Sequence, residues 1–190
     1  FGGCTFCSDS GSGEFASNIE DQIKLLSDKW PNAKYLGYFQ NHTNTYAPVE
    51  ELREKYYAIL ENPKIEGLVI GTRPDCLSEE ILDLLAEINK THSLWLEIGL
   101  QTIHDKTAEE FNRCYDLSVF EKAVEELNKR NIKFVVHLIL GLPGETEEMM
   151  MESVKYVSSI PNLFGMKLHL LNIVKGSAME KTHGDYQPFN

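Results

Sequence analysis

Five short runs rich in β-branched, aromatic and leucine residues recur along the chain, each separated from the next by a stretch with helical periodicity. They are Lys34–Gln40 (KYLGYFQ), Gly67–Gly71 (GLVIG), Leu94–Leu100 (LWLEIGL), Lys133–Leu140 (KFVVHLIL) and Gly165–Val174 (GMKLHLLNIV). Strict alternation of strand and helix predicts parallel strands joined by crossover helices. The intervening segments carry their apolar residues on one side. Ile19, Ile23, Leu26 and Trp30 follow a Ser17-Asn18-Ile19-Glu20 capping box and predict a helix ending before Pro31. Leu52, Tyr56, Ile59 and Leu60 follow Pro48, which suits a first helical turn, and Ile81, Leu84, Leu85 and Ile88 follow a Ser78 cap. A short helix is expected near Thr107–Asn112. A second box, Ser118-Val119-Phe120-Glu121, opens a helix through Arg130, and Glu147–Ser159 forms another. The tail after Val174 has no assignable pattern.

Parallel strands fit either an open Rossmann-like sheet or a (β/α) barrel. A strand covered on both faces should be apolar throughout. Here Glu97, Gly99 and Gln101 alternate with Leu96, Ile98 and Leu100, His137 falls between Val136 and Leu138, and Lys167 and His169 alternate with Met166, Leu168 and Leu170. One face of the sheet is therefore polar. Helices cover the outside of a barrel, so these groups would line its lumen, and burying them without partners would cost several kcal/mol each. An incomplete (β/α) barrel that holds a polar ligand is the expectation. The chain starts in a loop without an initiator Met and stops without a closing helix, which reads as a single domain, residues 1–190, of a longer protein whose first strand lies upstream.

Composition narrows the function. The formal charge of −11 comes with no Lys/Arg run, a poor match to gripping a phosphate backbone unaided. Four cysteines are too few for a disulfide scaffold in 190 residues, and no signal peptide or apolar stretch of membrane-spanning length is present. A reducing cytoplasm without membrane attachment is expected.

Chemistry in a (β/α) barrel gathers at the C-terminal ends of the strands. Those ends read Gln40-Asn41-His42 with Asn44-Thr45-Tyr46, then Thr72-Arg73-Pro74-Asp75, Gln101-Thr102, Gly141-Leu142-Pro143-Gly144-Glu145, and Asn172. Over the same rim hangs Phe1-Gly2-Gly3-Cys4-Thr5-Phe6-Cys7, followed by a Gly/Ser-rich run. Two thiols two residues apart, flanked by glycines, can clip a metal or an iron–sulfur cluster, and also fit half a zinc site, a redox pair or a disulfide. The remaining residues have plain readings: His42 as a surface-loop histidine, Cys76 as a small buried thiol, Arg73 and Asp75 as a pair across Pro74, and Met149-Met150-Met151 as a helix with one side inward.

In their order along the chain these motifs resemble the radical S-adenosylmethionine (SAM) superfamily, and within it the bacterial branch similar to the catalytic subunit of Elongator. Cys4-Thr5-Phe6-Cys7 looks like the last two cysteines of the family's three-cysteine cluster loop, with the first lying upstream. Phe39-Gln40 with Asn44-Thr45-Tyr46-Ala47 resembles the branch's signature after the second strand, Glu97-Ile98-Gly99-Leu100-Gln101 its fourth-strand motif, and Gly141-Leu142-Pro143-Gly144-Glu145-Thr146 its fifth-strand glycine turn. Asn112-Arg113 resembles a pattern that usually continues Gly-His, with the arginine near SAM's carboxylate; Cys114 and Tyr115 stand there instead.

The resemblance implies a [4Fe–4S] cluster on Cys4 and Cys7, and SAM held among Gln40, Asn44, Thr45, Glu97, Gln101, Arg113, His137, Gly141, Lys167 and His169, with Asn172 a further candidate contact. It implies reductive cleavage of SAM to a 5′-deoxyadenosyl radical with an external electron donor, and action on a tRNA wobble uridine through regions outside these residues. Two alternatives stand beside it: radical chemistry on a small metabolite or a protein, and a non-catalytic barrel binding SAM or a nucleotide. A zinc hydrolase using Cys4, Cys7 and His42 is a third.

Overall fold

In the computed structural model, which describes residues 3–7 and 19–187, five strands pair in parallel in the order of the chain. They are β1 (Tyr35–Phe39), β2 (Ile65–Thr72), β3 (Ser93–Gln101), β4 (Lys133–Leu140) and β5 (Gly165–Leu170). A doubly wound sheet reverses its strand order at a switch point. Here every neighbour is the next strand in sequence, so the sheet winds in one direction and forms a curled half-barrel.

The helices among the described residues are α1 (Ile19–Ser27), α2 (Val49–Leu60), α3 (Glu79–Asn89), α4 (Asp105–Glu110), α5 (Leu117–Lys129), α6 (Glu147–Ser158) and α7 (Ala178–His183), with a 3₁₀ turn at Pro74–Cys76. The core lies between sheet and helices. Leu94, Leu96, Ile98 and Leu100 of β3 and Phe134, Val136 and Leu138 of β4 meet Leu52 and Tyr56 of α2, Leu85 and Ile88 of α3, and Phe120 and Leu127 of α5. These strand residues are the apolar parity of the sequence, so Glu97, Gly99, His137, Lys167 and His169 face the other way, into the lumen, while the register shifts after Gly99 and pairs Gln101 with Leu138.

Several local expectations shift. The first capping box falls on residues outside those described, except Ile19 and Glu20. Trp30 is exposed, because α1 ends at Ser27 and the amides of Lys29 and Trp30 both turn back to the carbonyl of Leu26. Pro48 stands just before α2 rather than in its first turn. Ser78 caps α3 by accepting from the Ile81 amide at 3.4 Å, but Ser118 does not open α5. That helix begins at Leu117, whose amide donates to Asp105 Oδ1 at 2.9 Å, so a carboxylate from another element does the cap's work. β5 stops at Leu170, and the unassigned tail contains α7, capped by Ser177. Leu168 and Leu170 on the outer side of β5 are exposed. A groove of about 410 Å³ follows β1 and α1; it includes Tyr38 but no residue of the cysteine turn.

Register is enforced by a close approach at the foot of the sheet. Gly67 of β2 pairs with Ser93 of β3, and a Cβ added at Gly67 would sit 1.9 Å from the Ser93 carbonyl oxygen. Backbone cannot yield there as a flexible side chain would. Gly165, whose added Cβ would meet only Val135 methyls at 3.5 Å and beyond, has room. Gly67→Ala is expected to cost about 3 kcal/mol or to prevent folding, while Gly165→Ala leaves the melting temperature within a few degrees of wild type; thermal unfolding followed by circular dichroism checks both.

Candidate functional site

The lumen is organised by one carboxylate. Glu97, 4% exposed, accepts from Lys167 Nζ at 2.5 Å through Oε1, and through Oε2 from the Tyr38 hydroxyl at 2.5 Å and His137 Nε2 at 3.1 Å. The donors come from β5, β1 and β4, so four strands converge on this group. Gly71 pairs with Glu97 in the sheet. The His137 and His169 rings lie 4.9 Å apart, and Lys167 Nζ sits 5.3 Å from the Tyr38 ring centre.

Protonation follows from these surroundings. Glu97 is held below the usual carboxylate range: burial pushes it upward, but the bonds from Lys167 and Tyr38 and the nearby His137 and Lys167 outweigh that. Burial lowers His137 to about 4, with Glu97 pulling upward and His169 and Lys167 adding to the depression. At neutral pH His137 is therefore an uncharged imidazole donating through Nε2–H to an ionised Glu97. Burial and the bond to Glu97 raise the Tyr38 phenol, which stays protonated. The lumen thus presents a paired ammonium, a neutral imidazole and a phenol.

Above this cluster the cysteine turn sits on the rim. Cys4 and Cys7 are joined by a turn in which the Cys7 amide donates to the Cys4 carbonyl at 3.1 Å. The turn is held from outside: the Thr5 amide donates to the Phe111 carbonyl at 3.0 Å, the Met179 amide to the Thr5 carbonyl at 2.8 Å, and Asn112 Nδ2 to the Gly3 carbonyl at 3.2 Å. Phe6 packs on Phe111 with ring centres 5.3 Å apart. The two thiols act as a pair. Their mutual hydrogen bond lowers Cys7 to about 7 against the opposing effect of burial, with Arg73 helping, and the same bond together with burial pushes Cys4 up. A thiol held near neutral pH beside a second one is the kind of pair that gives up protons to a metal. The residues present fit two of the three thiolates of a [4Fe–4S] site. Among the described residues no three His, Cys, Asp or Glu side chains are placed to hold a metal ion, and His42 does not join the cysteines, so the zinc-hydrolase alternative lacks its ligand set.

The other expected residues divide by what they touch. Gln40 is exposed at the end of β1, and His169 is exposed at the end of β5. Gln101, with φ 72°, ends β3 past the register shift, and its carboxamide turns back toward Gly99. Asn44 and Thr45 act on the backbone: Asn44 Nδ2 donates to the carbonyls of Phe39 at 3.0 Å and Gly71 at 3.1 Å, and the buried Thr45 hydroxyl donates to the Cys76 carbonyl at 2.7 Å while bonding Thr72 Oγ1 at 2.5 Å. Gly141 adopts φ 83°, a turn conformation that favours glycine. Asn172 is exposed just past β5.

Arg113 is enclosed by protein groups. It is 1% exposed, and its donors go to the carbonyls of Tyr115, Leu100 and Thr102 and to Asp105 Oδ1. The guanidinium nearer the thiols is that of Arg73. Asp75 holds it through two bonds of 2.9 and 2.8 Å, the Arg113 carbonyl accepts from it at 3.0 Å, and it lies 5.2 Å from the Tyr115 ring. The pair across Pro74 therefore exists, and it also brings a cation to the cysteine turn. Tyr38 is a lumen residue that no local pattern marks, since its partner Glu97 lies fifty-nine residues away.

A half-barrel with two rim cysteines and a polar lumen defines a class, and the chain belongs to it. The profile of the Radical SAM superfamily matches residues 1–157. The chain is 44% identical over 190 residues to the uncharacterised protein YtqA of Bacillus subtilis, covering 96% of this chain and 59% of that one. It is 40% identical over 185 residues to YhcC of Escherichia coli, covering 95% and 60%. The chain thus spans roughly three-fifths of the length of these curated relatives. A tRNA uridine(34) acetyltransferase of Methanocaldococcus jannaschii is 26% identical over 127 residues, covering 65% of this chain and 23% of that protein. In fold, the chain matches the archaeal Methanocaldococcus infernus Elp3 with a TM-score of 0.72 at 20% identity, over 89% of this chain and 45% of that one. No helix among the described residues is long and apolar enough to cross a membrane.

The lumen cluster makes stability pH-dependent. An unfolded histidine takes up a proton below about 6.5, whereas folded His137 stays neutral down to about 4. The unfolded state binds more protons in that window, so folding stability falls as pH drops from 6.5 to 4. Glu97, also depressed, adds a loss of the same sign at lower pH. His137→Gln is expected to remove about 2 kcal/mol of the pH-dependent loss across this window, read as a flatter plot of unfolding free energy against pH than wild type.

Proposed function

We propose that this chain is the barrel core of a radical SAM enzyme, binding a [4Fe–4S] cluster at Cys4 and Cys7 and SAM across the strand ends. The observation that carries the reading is the placement of two thiols in one turn on the rim of a half-barrel whose lumen is polar. When bound, the reduced cluster and SAM supply C–S cleavage to methionine and a 5′-deoxyadenosyl radical, the electron coming from an external donor.

The protein's own part is placement. Cys4 and Cys7 ligate iron as thiolates, with a third thiolate from elsewhere in the full protein. Arg73 offsets negative charge beside them. Gln40, Gln101, Lys167 and His169, at or near the lumen ends of their strands, contact cofactor or substrate. Asn44, Thr45 and Gly141 shape the loops that surround SAM, and Glu97 with His137 fixes Lys167 and Tyr38 at the lumen wall. Such groups are preorganised, so little reorganisation is needed when a reactive species forms beside them.

The substrate proposed is the base of a tRNA wobble uridine. The likeness to the M. jannaschii tRNA uridine(34) acetyltransferase and the Elongator-like fold support it. With a charge of −11, this segment does not supply the phosphate grip; that falls to other regions of the full protein or to a partner. A cytoplasmic location agrees with reduced thiols.

The test uses full-length protein reconstituted anaerobically with iron and sulfide, reduced, and given SAM with and without bulk tRNA. 5′-Deoxyadenosine is expected from wild type and is lost in both Cys4→Ala and Cys7→Ala. Greater turnover with tRNA supports the RNA substrate, and equal turnover directs the search to metabolites or proteins. A formed cluster that binds SAM and yields no 5′-deoxyadenosine under either condition would favour the non-catalytic barrel.

A further inference from the structure

The end of β3 holds a strained turn that the rest of the strand does not require. Gln101 has φ 72°, and the Thr102 amide donates to the Leu100 carbonyl at 2.9 Å, closing a three-residue turn of the rare positive-φ kind. A glutamine has no intrinsic preference for that region. Its surroundings hold it there. Arg113 Nη1 donates to both carbonyls that flank the turn, Leu100 at 3.0 Å and Thr102 at 2.6 Å, and the Tyr115 hydroxyl donates to the Gly99 carbonyl. Arg113 is itself fixed by Asp105 Oδ1 at 2.7 Å, by the Tyr115 carbonyl at 2.9 Å, and by the Tyr115 ring 4.6 Å away.

The turn sends the Gln101 carboxamide back over Gly99 on the lumen side: a Cβ at Gly99 would lie 2.8 Å from Gln101 Nε2. The segment that grips β3 also grips the cysteine turn, through the Phe111 carbonyl and the Asn112 side chain. One strap, Phe111 to Tyr115, thus ties two parts of the candidate site together.

We propose that Arg113 is a positioning residue that acts on SAM through Gln101, holding the strained turn so that the Gln101 carboxamide faces the cofactor at a set distance from Cys4 and Cys7. This rests on the reading of the site as a SAM site. A lysine's single ammonium cannot hold the two carbonyls while also bonding the Tyr115 carbonyl and Asp105 as the guanidinium fork does, so Arg113→Lys loosens the clamp and keeps the charge.

Two measurements on the full-length reconstituted protein test it. In equilibrium dialysis, Arg113→Lys and Gln101→Ala are each expected to weaken SAM about tenfold, the scale of one well-made hydrogen bond. The double variant should lose no more than the worse single one, because both changes remove the same arrangement. Decarboxylated SAM should be weakened by the same factor as SAM; a loss confined to SAM would mean that Arg113 meets the carboxylate directly and overturns the proposal. Wild-type binding of neither ligand would instead refute the SAM reading. The clamp itself is tested without cofactor by thermal unfolding. Gln101→Gly accepts positive φ freely, so it should raise the melting temperature and shrink the drop caused by Arg113→Lys. An undiminished drop when Arg113→Lys is combined with Gln101→Gly overturns the clamp. If Arg113→Lys does not fold, Tyr115→Phe, which releases the Gly99 carbonyl, takes its place in both comparisons.

Discussion

A buried carboxylate must find partners, and in this protein that requirement reaches across the sheet. Glu97 sits near the middle of the lumen face, where leaving it ionised and unpaired would cost several kcal/mol. Its partners arrive from three other strands: Tyr38 from β1, His137 from β4 and Lys167 from β5. Helices on the outer face supply the hydrophobic drive that makes the sheet. They do not determine how far it curls. The hydrogen bonds to Glu97 span the concave side from edge to edge and join the lumen ends of β1 and β5 to the centre. An apolar lumen of equal volume would lack such directional ties.

The rim is built on the same logic with backbone acceptors in place of a carboxylate. Strand ends leave carbonyls without ladder partners, and buried ones must be satisfied. Arg113 and Tyr115 satisfy those of Gly99, Leu100 and Thr102, and Arg73 satisfies that of Arg113. The Tyr115 ring lies beside both guanidinium groups, at 4.6 Å from Arg113 and 5.2 Å from Arg73. Asp105 closes the arrangement by binding Arg113 and the first amide of α5 together. The cysteine turn has little structure of its own, and it is placed by the Phe111 and Asn112 contacts to this assembly. The loop that carries the two thiols is thereby anchored to a densely bonded part of the barrel.

Much of the fold was legible because its signals are local and periodic. The alternation of Leu94, Leu96, Ile98 and Leu100 with Glu97 and Gly99 states which face meets helices and which meets the lumen, and the structure keeps that parity through β4 and β5. The Ser78 cap was legible for the same reason, since its partner lies three residues away. Ser118 misled because α5 takes its cap from Asp105, twelve residues before the Leu117 amide, and Trp30 misled because a helical period says nothing about where a helix stops. Tyr38 was passed over since its meaning depends on Glu97, fifty-nine residues away.

From the sequence alone came the alternation of strand and helix, the polar face of the sheet and the two rim thiols, all properties of neighbours along the chain. Tertiary structure decided the sequential winding of the sheet, the pairing of Glu97 with three strands, and which acceptors the two arginines fill. Arg113 gives donors to the end of β3, which folding brings against it. Arg73 looked like half of a loop pair until the Arg113 carbonyl and Tyr115 ring held it beside the cysteines. An arginine carries five donors on a long side chain, and which acceptors fill them depends on what folding brings within reach.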